Sequence, residues 1–140
     1  MVVVAASLAT AACSSGEPAT STGATSSSAR TAGAAVAALL PADFAAVLAD
    51  DDVLVVNVHV PDEGSIAGTD VAIPFDEVRD RSAELPQNLG VPVAVYCKSG
   101  RMSAQAVAVL RDLGYTDVVE LRGGMDAWAA GGRELLPPAG

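Results

Sequence analysis

A chain of 140 residues allows one compact domain of about 100 residues plus a tail. Apolar residues make up 51 % of it, much of that Ala and Val, while aromatics are only 4 %, a composition that suits a small sheet covered by Ala-rich helices. The formal net charge of −9 excludes nucleic acid as a partner and any general attraction to anionic lipid, because both need clustered Lys and Arg; a bound anion would need the few basic residues gathered in one place.

Residues 1–12, MVVVAASLATAA, are apolar and uncharged but too short to span a bilayer, which takes about 20 residues. The run resembles the core of a secretory signal, and its small residues before Cys13 resemble a lipobox. The expectation is a signal-like segment over 1–13, a lipid-bearing Cys13 as the mature N-terminus, and an extracytoplasmic protein held at the membrane by that lipid. Thr10 stands where Leu is usual and no Lys or Arg precedes the run, which points to a start upstream of Met1. An ordinary cleaved signal or a buried first helix is the alternative. Residues 14–35 draw 19 of 22 positions from Ser, Thr, Gly and Ala. With no apolar period they read as a flexible linker that lifts a domain off the membrane.

The folded domain is expected over 36–136. Phe44, Val47 and Leu48 have i, i+3, i+4 spacing and predict a short helix over 42–49, ended by the solvated turn Asp50-Asp51-Asp52. Val53 to Val58 is a β-branched run and predicts a buried strand. Residues 59–72 are turn-rich. Asp76 to Glu84 predicts a short charged helix with Arg79 and Arg81 on its wet face. Val91 to Tyr96 predicts a second strand, Ser103 to Leu113 a helix stopped by Gly114, Asp117 to Leu121 a third strand, and Ala127 to Ala130 a last short helix. Strands alternating with helices imply an α/β fold, a small parallel sheet flanked by helices on both faces.

The two cysteines, Cys13 and Cys97, can form one disulfide; if Cys13 is lipidated, Cys97 is a lone thiol, either buried and inert or reactive. Its setting favours chemistry. A buried strand delivers Cys97 to a carboxyl end, where ligands bind in open parallel sheets. A tight loop and then a helix follow, so several backbone N–H groups and the positive helix end can face the sulfur and stabilise a thiolate. Gly100 permits the φ > 0 backbone of such a cradle. Lys98 and Arg101 put two of the eight basic residues beside the Cys, suited to a small dianion. His59 is the only histidine and no Cys or His pair has zinc spacing, so no metal is expected, nor any cofactor. Asp62 and Glu63 read as solvated loop charges, and Trp128 with Gly123-Gly124 as packing and turn residues.

The segment YCKSGRMSA at 96–104 resembles the active-site loop of rhodanese-like domains. LRDLGYTDVVELRGGMDAWAAGG at 110–132 is similar to the C-terminal pattern of that family, and GSIAGTDVAIPFDEV at 64–78 to its stretch leading into an Ile-Pro turn. The resemblance implies sulfur transfer: Cys97 would take the outer sulfur of thiosulfate or a similar small donor anion and pass it to cyanide or a thiol, a protein thiol included. The loop Lys98, Ser99, Gly100, Arg101, Met102 and Ser103 would bind the donor, with Lys98 and Arg101 on its sulfonate and Ser103 capping the helix. The chain departs from the family at Asn57-Val58-His59, where Asp and Arg are usual, and at Ser65, where His is common. Two other functions remain open. A persulfide carrier or binding module without catalysis would look nearly the same. A phosphatase or arsenate reductase would need Arg six positions after the Cys, where Ser103 stands.

Overall fold

The computed structural model describes residues 37–140, so the expected lipid site at Cys13 and the linker over 14–35 lie outside the described residues. Five strands, β1 (Ala37–Leu39), β2 (Leu54–Asn57), β3 (Val71–Ala72), β4 (Val93–Tyr96) and β5 (Val118–Leu121), form one parallel sheet in the order β1-β5-β4-β2-β3. Three helices, α1 (Pro41–Val47), α2 (Arg101–Asp112) and α3 (Gly124–Ala130), cover it. This is the expected α/β architecture, a small parallel sheet with helices on both faces.

The strands are buried on both sides, which explains why they read as unbroken apolar runs. Along β4, Val93 and Val95, with Cys97 just beyond, pack with Val56 and Val118 under Ala106, Val107 and Leu110 of α2. The alternate residues Ala94 and Tyr96 pack with Val55, Val119 and Leu121 against Phe44 of α1 and Met125 and Trp128 of α3. Gly114 stops α2 as expected: at φ +103° it lets its own N–H reach Arg111 O at 2.9 Å and the Tyr115 N–H reach Leu110 O at 3.1 Å.

Four expectations need correction. Asp76–Glu84 is not an α-helix but a series of turns ending in a 3-10 turn over Ser82–Glu84. Pro74 and Pro86 bracket it, and its arginines are engaged at the surface, Arg81 with nearby Glu84 at 2.6 Å and Arg79 with Asp112 of α2 at 3.3 Å. The turn-rich stretch 59–72 ends in β3, and β1 precedes α1; at two and three residues neither strand is long enough to leave a periodic signal. Finally, α2 begins at Arg101 rather than Ser103, with Gly100 as its N-cap residue at φ +92°.

Candidate functional site

Strand β4 ends at Tyr96, paired in register with Asn57 of β2, and the next residue is Cys97. The chain turns sharply through Lys98, Ser99 and Gly100 into α2. The left-handed backbone at Gly100 folds its own N–H back onto Cys97 Sγ at 3.0 Å. Several loop amides were expected to converge on the sulfur; among the described residues, Gly100 N–H is the one that makes a hydrogen bond to it. Ser103 does not cap the helix. It sits fully buried in the first turn, and its Oγ lies 3.5 Å from Cys97 Sγ and 3.2 Å from Glu120 Oε1 of β5. Cys97 is itself 1 % exposed, so only a small group entering through the loop can meet its sulfur.

The loop is held from behind by α3. The N–H groups of Met125 and Asp126, in the first turn where no helical acceptor exists, donate to Cys97 O and Lys98 O, both at 2.9 Å. This close approach requires Gly124. At φ +60°, a Cβ there would stand 2.3 Å from Cys97 O and 2.4 Å from Lys98 O. Gly123-Gly124 is thus a turn, as expected, and also the wall of the site. Trp128 is a packing residue: it meets Phe44 edge-on at 86°, donates from Nε1 to Glu134 O at 3.1 Å and lies under the Arg133 guanidinium.

The charges around the loop are arranged differently from the expectation. Glu63 is not a free solvated charge. Both its oxygens lie 2.9 Å from Lys98 Nζ, and Oε2 lies 2.6 Å from His59 Nε2. The hydrogen bond from Lys98, and after it the one from His59, hold the Glu63 carboxyl below the ordinary carboxylate value, while Glu63 in turn raises the Lys98 ammonium. Asp62 is engaged as well, accepting from Gly64 N–H at 3.0 Å and Ala139 N–H at 3.1 Å. Arg101 is exposed and forms no ion pair among the described residues. Ser99 is exposed, and Met102 is partly buried against the α2 side of the core.

Asn57 and His59 replace the ion pair that the family resemblance led one to look for with hydrogen bonds. Asn57 Nδ2 donates to Gly64 O at 3.2 Å, and its Oδ1 accepts from His59 N–H at 3.0 Å. The His59 ring is mostly buried, with Nδ1 unpartnered among the described residues. The phenol of Tyr96, pushed up chiefly by burial, ties the same stretch to β4 by accepting from Ile66 N–H at 3.0 Å and pairing with Thr69 Oγ1 at 2.6 Å. A cavity of about 470 Å³ opens beside β3 and the C-terminal tail, lined by His59, Asn57, Thr69 and Leu136 among others; residues 97–103 do not line it.

The roles of three residues in this arrangement escaped sequence reasoning: Glu63, read only as a solvated charge, Gly124, read only as a turn, and Glu120, which was not singled out. Glu120 alternates with Val119 and Leu121, on the face of β5 that packs toward α2, and sits below the loop, 3.7 Å from where a Gly100 side chain would begin. Burial pushes its carboxyl above the ordinary value, and the hydrogen bond from Ser103 opposes that.

A single cysteine at the carboxyl end of a central parallel strand, with a backbone N–H on its sulfur and a helix opening behind it, defines an α/β protein built to present one thiol. The rhodanese-like domain pattern matches residues 40–131, and the chain belongs to that family. A sulfurtransferase of Allochromatium vinosum is 39 % identical over 97 residues, spanning 66 % of this chain and 88 % of that protein. The thiosulfate sulfurtransferase PspE of Escherichia coli is 37 % identical over 73 residues, 50 % of this chain and 68 % of that one. Among solved structures, a rhodanese-related protein from Thermoplasma volcanium superposes with a TM-score of 0.60 at 28 % identity, covering 71 % of this chain and 97 % of that one.

Proposed function

We propose that this domain is a sulfurtransferase that moves a sulfane sulfur from thiosulfate, or a similar donor anion, to a thiol or cyanide through a persulfide on Cys97. The observation that carries the reading is the Gly100 N–H aimed at Cys97 Sγ at 3.0 Å, at the mouth of α2. A donor so fixed favours negative charge on the sulfur, and the thiolate is the nucleophile. The thiolate attacks the outer sulfur of thiosulfate; a new S–S bond forms as the donor S–S bond breaks, and sulfite leaves with the electron pair. The acceptor thiolate or cyanide then attacks the outer sulfur of the persulfide, and the Cys97 thiolate is released. Arg101, exposed and without an ion pair among the described residues, is the cation best suited to the sulfonate; Lys98 shares its charge with Glu63.

Mass spectrometry of the purified protein tests the reading. Thiosulfate should add one sulfur atom, located on Cys97, and cyanide or a dithiol should remove it. Cys97→Ser should fold and gain none. A wild-type protein that takes up no sulfur from any donor would reduce the domain to a binding module, and one that takes it up without turnover would be a carrier. The proposal extends to location. The apolar run before Cys13 and the linker after it favour a lipid tether that keeps the domain outside the cytoplasm. In membrane fractions of cells expressing the protein with its native upstream region, Cys13→Ala should move to the soluble fraction; equal partition of both forms would refute the tether.

A further inference from the structure

We propose that Glu120 is a positioning residue that sets the direction of the hydrogen bond between Ser103 and Cys97, and so determines whether the resting sulfur is held as a thiol or offered a second donor. Cys97, Ser103 and Glu120 form a chain, with Sγ 3.5 Å from Ser103 Oγ and Ser103 Oγ 3.2 Å from Glu120 Oε1. A serine hydroxyl has one hydrogen, and an ionised carboxylate can only accept. With Glu120 ionised, that hydrogen is committed to Oε1. Ser103 then turns only lone pairs toward Cys97, and the sulfur keeps its own hydrogen and donates it. With one proton added to Glu120 from solvent, the carboxyl donates to Ser103 Oγ, and the Ser103 hydrogen is free to turn to the sulfur. A negative sulfur, thiolate or persulfide, then has two donors, Gly100 N–H and Ser103 O–H.

The surroundings suit a group that changes protonation with its neighbour. The elements packed against Glu120 carry few charges: none on β1, Cys97 just past β4, Arg101, Arg111 and Asp112 on α2, Asp117 just before and Arg122 just after its own strand, and Asp43 on α1 across the sheet. Burial dominates at Glu120, favouring the proton. Formation of a negative sulfur and protonation of Glu120 therefore assist each other, as coupled sites do.

The inference rests on the proposed role of Cys97 for its meaning, yet its test needs no sulfur donor, so the two can fail separately. The thiolate absorbs in the ultraviolet, and with Cys13→Ala in every protein the absorbance reports Cys97 alone, across the pH range below tyrosine ionisation. An amide at position 120 can turn its NH2 to Ser103 Oγ when the sulfur is negative, which a carboxylate cannot do without a proton. Glu120→Gln should bring in the thiolate band about one pH unit lower, about tenfold more thiolate at a given pH. In a Ser103→Ala background the same substitution should have little effect. A shift of equal size in both backgrounds would mean that Glu120 acts by its charge alone. No shift in either would mean that it does not act on the sulfur. Either result overturns the proposal.

Discussion

Two loops leave neighbouring strand ends at the same level of the sheet, and they are built by opposite means. After β4, residues 97–100 are shaped by backbone groups: Gly100 N–H on the sulfur, and the N–H groups of Met125 and Asp126 on the carbonyls of Cys97 and Lys98. After β2, residues 57–64 are shaped by side chains: the Asn57 amide, the Asp62 carboxylate, and the link from His59 through Glu63 to Lys98. The first arrangement should survive side-chain substitution but not an added Cβ, because Gly124 holds the approach. The second depends on its side chains and should change its charge where Asp62 or Glu63 is lost. The two meet at Lys98, where the cradle takes its charge balance from the other loop.

The comparison breaks first at Gly124. Gly124→Ala forces a Cβ into Cys97 O and Lys98 O at a left-handed φ. We expect a loss of about 3 kcal/mol, a fall in Tm of about 15 °C, and near-complete loss of sulfur transfer as the loop moves off α3. A variant that melts and turns over like the wild type would show that side chains, not backbone contacts, hold the cradle.

The same division explains what was legible in the sequence. Cys97 through Ser103 is one contiguous stretch, so its strand-loop-helix setting could be read directly, and β2, β4 and β5 showed as apolar runs because both their faces are covered. Glu63 and Glu120 acquire their roles across separations of 35 and 17 residues, to Lys98 and Ser103, where no local pattern links them. Ser103 looked like a cap because its place in the first turn depends on where Gly100 lets the helix begin. Gly123-Gly124 was visible as a turn, but its role as a wall depends on α3 returning to the β4 loop, a tertiary fact.

A smaller effect is expected at Arg101, which opens α2 directly after the backbone-built loop and offers its side chain to solvent. Arg101→Ala should leave Tm within about a degree and raise KM for thiosulfate by up to about fivefold, the range of one exposed charge pair. The increase should shrink as salt is added, because an exposed charge is screened. Unchanged KM at low salt would remove Arg101 from the site and leave donor capture to the loop amides.

A small effect on stability, and one of opposite sign on binding, is expected at Glu63. Glu63→Gln leaves Lys98 without its neutralising partner. A donor anion should then meet one more uncompensated positive charge, so KM for thiosulfate should fall where Arg101→Ala makes it rise. The stability change should be a small loss with a defined pH window. The Glu63 carboxyl is held below the ordinary value of 4.5 by Lys98 first and His59 second. A depressed carboxyl stabilises the fold fully at pH above its unfolded value, and that contribution disappears as the pH falls through the folded value. The wild type should therefore melt slightly higher than Glu63→Gln at neutral pH, and the two curves should converge as the pH is lowered below 4.5. High salt should reduce the neutral-pH gap as well. Melting curves that stay apart at low pH would mean that Glu63 supports the β2 loop by shape rather than by charge. A KM that rises with Glu63→Gln would show that Lys98 must be held by its partner to take part in donor binding.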